Sequence, residues 1–184
     1  MNRAEKRRQK KLAKKAASNA KLGKGTNRSP EQQTLAIQES IALALQHHNA
    51  GDLAKAEGLY QQVLQADPDH PEALHLLGVI AHQVGKNDIA VDLIGKALAV
   101  NPDIAEAHNN LGNTLQDLGK LDEAVASYNK AIALNPDLAV AHYNLGVLLR
   151  RQGFLNEAVE SYLRAATIQP EYVEAHYNLG YAFQ

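Results

Sequence analysis

Four columns of residues recur along the chain at a fixed interval of 34 residues, and this interval is the strongest constraint on the fold. Two columns are glycine, one is proline and one is alanine. Their members are Gly51, Gly85, Gly119 and Gly153; Gly78, Gly112, Gly146 and Gly180; Pro68, Pro102, Pro136 and Pro170; and Ala56, Ala90, Ala124 and Ala158. A period of about 20 to 50 residues is typical of arrays in which each unit buries its apolar side against the next. The sequence therefore predicts a stack of equivalent units.

One such unit, residues 105–138, contains two apolar stripes at helical spacing. The first stripe stops at Gly119, because glycine permits the positive φ that ends many helices. Asp122 and Glu123 supply negative charge for the first turn of a second helix, and Pro136 cannot continue that helix. Each unit is thus predicted to be a helix hairpin.

Small residues within the unit indicate where helices approach one another closely. Gly112, Ala124 and Ala131 occupy positions where neighbouring helix axes are expected to lie about 8–10 Å apart. A larger side chain at these points would hold the two helices apart.

These residues carry a family resemblance. The run His108, Leu111, Gly112 and Leu115, followed by Gly119, Ala124, Tyr128, Ala131 and Pro136, resembles the tetratricopeptide repeat, a 34-residue helix-turn-helix unit. The resemblance implies an all-α fold, a right-handed superhelical solenoid with repeats at 37–70, 71–104, 105–138 and 139–172 and a partial repeat at 173–184. The position where that family often has Trp is filled by Leu74, His108, His142 and His176.

The chain is predicted to divide into a basic tail, residues 1–28, and a repeat domain, residues 29–184. The tail holds eleven Lys or Arg and one acid, whereas the remainder holds eight bases and nineteen acids. Two interpretations of the basic tail stay open. It is a solvated, disordered end, or it makes a weak contact with a polyanion that does not depend on the sequence of the polyanion. Ser29, Pro30 and Gln32 match a helix start, with Ser29 and Gln32 as a capping pair.

The tail shows no sequence pattern of a secretory signal or of a membrane-inserting helix. The tail has no apolar stretch of about 7–15 residues such as a secretory signal needs, and its two leucines, Leu12 and Leu22, are too few for membrane insertion. Cysteine is absent, which excludes disulfides and cysteine ligands. A cytoplasmic location is the expectation.

No catalytic residues, cofactor, metal or small-molecule substrate are predicted. The glycines follow the repeat instead of forming a phosphate-binding loop, and no nucleophile motif is present. His108, His142 and His176 recur at one position per unit, too far apart to share a zinc ion, so structural packing is the preferred interpretation. A metal site at His48, His75 and His82 is a minor alternative.

What remains is a surface on the first helix of each unit. Positions 2, 6, 9 and 13 of the unit share the face opposite the packed stripe, and by the family resemblance this face lines a concave groove. The predicted peptide-binding residues on it are Leu76, Val79, Glu106, Asn110, Asn113, Asp117, Asn144, Arg151, Asn178 and Tyr181.

Asn110, Asn144 and Asn178 occupy the same position in successive units. An Asn side chain both donates and accepts, so each could bond the backbone of an extended peptide without reading its sequence. This column resembles the repeat region of O-linked N-acetylglucosamine transferases, in which the resemblance implies that such asparagines hold substrate polypeptide. The alternative interpretation of the column is a set of ordinary solvated helix residues.

The preferred function is a non-catalytic scaffold that binds a protein or peptide in its groove. Two alternatives stay open: the substrate-recruiting part of a bacterial protein glycosyltransferase, and an adaptor to nucleic acid or anionic surfaces that uses the basic tail. The apolar end of the partial repeat leads us to expect that the chain is a fragment or that its last helix pairs with a partner.

Overall fold

The computed structural model describes residues 29–182, and in this range every regular element is an α-helix. The helices are α1 (Pro30–Asn49), α2 (Leu53–Ala66), α3 (Pro71–Gln83), α4 (Asn87–Val100), α5 (Ala105–Asp117), α6 (Leu121–Leu134), α7 (Ala139–Gln152), α8 (Leu155–Ile168) and α9 (Val173–Ala182). Each of the four full predicted units contains one hairpin, such as α5 with α6, and the partial unit contains α9. The predicted fold class, an all-α solenoid of helix-turn-helix repeats, is confirmed.

The chain forms two compact units that divide after Gln38. The described part of the first unit is residues 29–38, where α1 begins. The backbone N–H of Gln32 donates to Oγ of Ser29 at 3.3 Å, and the N–H of Ser29 donates to Oε1 of Gln32 at 3.2 Å. The predicted capping pair is therefore confirmed. The predicted tail, residues 1–28, lies outside the described residues.

In the second unit, the turn between the two helices of a hairpin is built on the predicted glycine column. Four glycines, Gly51, Gly85, Gly119 and Gly153, have φ between 75° and 89°. Glycine adopts this conformation without a steric clash because it has no Cβ. The residue after the glycine then bonds back across the helix end: N–H of Lys120 donates to the carbonyl of Leu115 at 2.9 Å. This is a helix end closed by a left-handed residue.

Second helices end in a different way. Asn101 and Asn135 follow α4 and α6 with extended backbone, and each side-chain oxygen accepts the N–H two residues on at 3.1 Å. A proline follows each of these asparagines and prevents the helix from continuing. The hairpins are therefore separated by short turns.

The core of each hairpin pairs a small residue with a large one. Tyr128 and Tyr162 are fully buried, and a Cβ built on Gly112 or Gly146 would lie only 2.5 Å or 2.8 Å from the facing tyrosine ring. The ring therefore occupies the space that a side chain at the glycine would need. The predicted close approach at Gly112 is confirmed.

The repeated histidines have a structural partner. Nε2 of His108, His142 and His176 lies 2.9–3.0 Å from the carbonyl oxygen of the proline six residues earlier. A carbonyl can only accept, so Nε2 carries the proton in all three. Each bond ties the first helix of a repeat to the turn that precedes it.

Candidate functional site

The predicted groove residues differ in exposure. Asn178 is buried, five of the set are half-buried (Leu76, Val79, Asn110, Asn113 and Asn144), and four are exposed (Glu106, Asp117, Arg151 and Tyr181). They lie on the first helices α3, α5, α7 and α9. We call this set of ten residues the groove face.

The asparagine column connects consecutive repeats. Nδ2 of Asn110 donates to Nε2 of His75 at 2.9 Å, and Nδ2 of Asn144 donates to Oδ1 of Asn109 at 3.0 Å. In the next repeat, Nδ2 of Asn178 donates to the hydroxyl of Tyr143 at 3.3 Å. Each bond joins residues 35 apart, from position 6 of one unit to position 5 of the unit before it. We call these three bonds the first contact row.

The first contact row orients the asparagine amides. Because Nδ2 bonds the preceding repeat in each case, the planar amide directs Oδ1 away from that bond. Oδ1 of Asn110 accepts a bond from Nδ2 of its neighbour Asn109 at 3.3 Å. Within the described residues, Oδ1 of Asn144 and Oδ1 of Asn178 accept no bond from another side chain or from the backbone. These two oxygens are free to accept from a ligand.

A second contact row lies about two helical turns further along the first helices, at positions 12 and 13 of the repeat. Nε2 of His48 lies 3.1 Å from Oε1 of Gln83, and Nε2 of His82 lies 2.8 Å from Oδ2 of Asp117. These pairs also join residues 35 apart. His48, His75 and His82 thus each have a different partner and do not converge, and no group of three metal-ligating side chains occurs anywhere in residues 29–182.

His75 is neutral in this arrangement. The amide Nδ2 of Asn110 can only donate, so Nε2 of His75 accepts and the ring proton sits on Nδ1. Burial lowers the pKa of His75 below its ordinary value of 6.5, and the nearby charge of Glu106 opposes part of this effect. The bond between Asn110 and His75 in the first contact row therefore depends on an unprotonated imidazole.

Asn113 has a partner on the second helix of its own hairpin. The hydroxyl of the buried Tyr128 donates to Oδ1 of Asn113 at 2.8 Å and lies 3.3 Å from Oε1 of Gln116. Burial raises the pKa of Tyr128 above its usual value, and Asp117 raises it further. The tyrosine is a neutral donor that fixes Asn113 on the groove face.

Tyrosines accompany the asparagines in the last two repeats. The ring of Tyr143 lies 5.0 Å from that of Tyr172 and 5.9 Å from that of Tyr162. On α9, Tyr177 and Tyr181 form a further ring pair at 5.8 Å, and both are more than 60% exposed. Of these tyrosines, Tyr181 belongs to the groove face, so α9 carries exposed ring surface as well as the amide oxygen of Asn178.

Sequence reasoning missed the partners of the two contact rows. Asn109 and Tyr143 at position 5 were not among the predicted site residues, and His48, His75 and His82 were considered only as a minor alternative metal site. A signal for them exists, because polar residues at these positions are followed 35 residues later by another polar side chain. A comparison of each repeat with the next at an offset of 35 brings these pairs out.

The stacked hairpins, the shared glycine turns and the side-chain bonds between successive first helices define an α-solenoid repeat protein. The chain belongs to the tetratricopeptide repeat family. The family model described as "Tetratricopeptide repeat" matches residues 48–113, and the one described as "TPR repeat" matches residues 112–153 and 148–184. No curated protein sequence matches the chain significantly.

Solved structures with the same fold agree with this assignment. MamA is 29% identical, with 76% of this chain and 82% of that chain covered and a TM-score of 0.68. A mutant O-GlcNAc transferase from Thermobaculum terrenum is 31% identical over 78% of this chain but only 27% of that chain, with a TM-score of 0.72. PilF from Pseudomonas aeruginosa is 21% identical, covers 82% of this chain and 68% of that chain, and has a TM-score of 0.77, which shows the fold alone.

Fold and family together support a role as a protein-interaction scaffold. Among the described helices, none is both long enough and apolar enough to span a bilayer.

Proposed function

We propose that this chain is a non-catalytic scaffold that binds an extended polypeptide along the groove face. The observation that carries the proposal is the first contact row, since it orients one asparagine amide in each of the third, fourth and fifth repeats by a bond from Nδ2 to the preceding repeat. Successive helices in such a stack lie about 10 Å apart, and a strand rises about 3.3 Å per residue. A bound chain would therefore meet one asparagine at about every third residue.

The free oxygens of Asn144 and Asn178 suit this role because they can accept backbone N–H groups of a ligand regardless of its side chains. Exposed Tyr181 and half-buried Tyr143 add ring surface beside them. Aromatic rings offer large contact area at low entropic cost. Peptide binding is thus expected to be centred on α7 and α9.

A display library of random dodecapeptides, screened against the full chain, provides the test. Twelve residues span about 40 Å, which matches four steps between repeats. The affinity of selected peptides is then measured by fluorescence anisotropy for the natural protein and for an Asn144→Ala, Asn178→Ala double variant. We expect roughly tenfold weaker binding, since each lost hydrogen bond contributes about 0.5–1.5 kcal/mol.

The matched control is the double variant Asn129→Ala, Lys130→Ala. Both residues are exposed on α6, away from the groove face, and neither makes a hydrogen bond or ion pair within the described residues. Far-UV circular dichroism checks that both double variants stay folded. Failure to select any peptide, or equal affinities for the two folded variants, would refute the proposal.

A second candidate is the substrate-recruiting region of a protein glycosyltransferase. It is favoured by the 31% identity to the Thermobaculum terrenum O-GlcNAc transferase, of which this chain covers 27%. Catalysis would then belong to a longer parent chain. The nucleotide sequence that follows codon 184 decides this, because a glycosyltransferase domain in the same reading frame supports the candidate and a stop codon removes it.

The proposed compartment is the cytoplasm, on the strength of the absent cysteines and the absence of a signal-like apolar stretch in the sequence. Fractionation of cells that express the tagged chain would test it, and recovery from a membrane or secreted fraction would contradict it.

A further inference from the structure

Hydrogen-bond acceptors predominate on the groove face once the contacts between repeats are formed. The first contact row engages the Nδ2 groups of Asn110, Asn144 and Asn178, whereas two of the three Oδ1 atoms stay free. A ligand that matches this surface must bring donors.

Carboxylates at position 2 of the repeat add negative charge beside these acceptors. Glu72, Glu106 and Glu174 lie in the first turns of α3, α5 and α9, are exposed, and form no ion pair with any residue in 29–182. The positive end of the helix dipole stabilises a carboxylate in the first turn. It does not provide an ion-pair partner for the three glutamates.

The negative charge of each glutamate acts on a titratable side chain of the preceding repeat. Burial lowers the pKa of His75, and the charge of Glu106 opposes it. Burial raises the pKa of Tyr60 to about 12, and Glu72 adds to that rise. Burial also raises the pKa of Tyr172, with smaller contributions from Tyr143 and then Glu174. Glu106 belongs to the groove face, and Glu72 and Glu174 occupy the same position 2 in the second and fifth repeats, one helical turn before position 6.

The fourth repeat breaks this pattern. It has Val140 at position 2 in place of a glutamate, and its position 13 is the exposed Arg151. The second, third and fifth repeats thus carry a negative charge at position 2, whereas the fourth repeat carries the apolar Val140 there and the cation Arg151 at position 13.

We propose that the groove face selects a basic extended protein segment, with Lys or Arg opposite Glu72, Glu106 and Glu174 and a neutral or acidic residue opposite the fourth repeat. This rests on the proposed function and adds the chemical class of the ligand. Charge complementarity of this kind favours the correct partner and penalises an acidic one. At about three residues per repeat, the cations of the segment would fall near positions i, i+3 and i+9.

The dodecapeptide library described above tests this directly, because each selected peptide can be scored for charge. We expect enrichment of Lys and Arg and depletion of Asp and Glu relative to the unselected library. Selected peptides should also bind several-fold more weakly when the salt concentration is raised from about 0.05 to 0.5 M, since exposed charges are screened.

A triple variant, Glu72→Gln, Glu106→Gln and Glu174→Gln, removes the proposed partners without changing side-chain size. We expect roughly tenfold weaker binding of a selected basic peptide, at about twofold per carboxylate. The matched control is Glu123→Gln, Glu157→Gln and Glu160→Gln. It changes the net charge equally and alters two first-turn acids, but on the second helices α6 and α8.

The outcomes separate the two proposals. Selected peptides without a basic bias, or equal losses of affinity in the two triple variants, would overturn the charge selection and leave peptide binding intact. An empty selection would overturn both. Weaker binding confined to the groove-face variant, with unchanged circular dichroism, would support a basic ligand.

Discussion

The contact between Gly112 and Tyr128 allows a sharp test of how the hairpins are packed. An added Cβ at Gly112 would lie 2.5 Å from Cε1, 2.7 Å from Cδ1 and 3.0 Å from Cζ of the tyrosine. The ring is rigid and fully buried, and its hydroxyl is held by Asn113 at 2.8 Å. Gly112→Ala therefore forces the ring to move out of a well-packed position.

Three effects set the magnitude of the change in unfolding free energy. Overpacking costs about 1–3 kcal/mol, and a weakened tyrosine hydroxyl bond costs about 1 kcal/mol more. The higher helix propensity of alanine offsets these losses by about 1 kcal/mol. We expect Gly112→Ala to destabilise the protein by about 1–3 kcal/mol. Gly146→Ala should behave similarly, because its Cβ would lie 2.8 Å from the ring of Tyr162.

Gly95 provides the matched control. It lies within α4, its φ is not left-handed, and a Cβ there would meet nothing within 4 Å. Gly95→Ala should therefore stabilise the protein by about 0.5–1 kcal/mol. Urea unfolding followed by far-UV circular dichroism measures both changes, and melting temperatures should move by about 2–4 °C per kcal/mol.

The outcome that would refute this reasoning is a Gly112→Ala variant as stable as the natural protein or stabilised like Gly95→Ala. The ring would then have room to shift freely. The first repeat shows that a methyl group can be accommodated in principle, since its glycine column holds the fully buried Ala44 and its tyrosine, Tyr60, is buried too. The test asks whether the third repeat can adopt such packing after a single substitution.

Three further predictions concern other features of the chain. Tyr128→Phe should lower the unfolding free energy by about 1 kcal/mol because the hydrogen bond to Asn113 is lost. Tyr60→Phe should change the unfolding free energy little, since the buried Tyr60 hydroxyl has no partner among the described residues. Urea titrations of both variants measure these changes. Unfolding free energy should fall as the pH drops below about 6.5, because His75 binds a proton more readily in the unfolded state than in the folded state, where burial lowers its pKa. His75→Asn should reduce this fall, which is measured by parallel titrations at pH 7.5 and 5.5. Deletion of residues 1–28, which carry eleven bases, should abolish any salt-sensitive binding of single-stranded DNA in a filter assay, and retained binding would contradict a role for the tail.

The fold could be predicted from the sequence because the repeated residues determine the local geometry of each hairpin. A glycine at position 15, as in Gly119, ends a helix whatever surrounds it, and the measured φ of 75° agrees. The glycine at Gly112 and the large residue that contacts it, Tyr128, lie in one hairpin and recur with the same 34-residue period. Such features need no knowledge of how one hairpin sits on the next.

The candidate site was less predictable because its contacts cross between repeats. Helical periodicity placed Asn110 and Asn144 on one face, but it did not reveal that their amides bond His75 and Asn109. Those bonds depend on the rotation and rise from one hairpin to the next, which a 34-residue spacing does not determine. The column of asparagines therefore has a structural contact as well as its predicted role in binding a ligand.

The offset of 35 residues in the two contact rows bears on how arrays of this kind change length. Excision of one whole repeat, residues 105–138, would place Asn144 opposite His75, which is the same pair of residue types as before. His82, however, would then face Arg151 in place of Asp117, and a favourable pair would be replaced by a repulsive one whenever the imidazole is protonated. Loss of this unit from the gene would thus preserve the residue types of the first contact row while the second would lose its favourable pair.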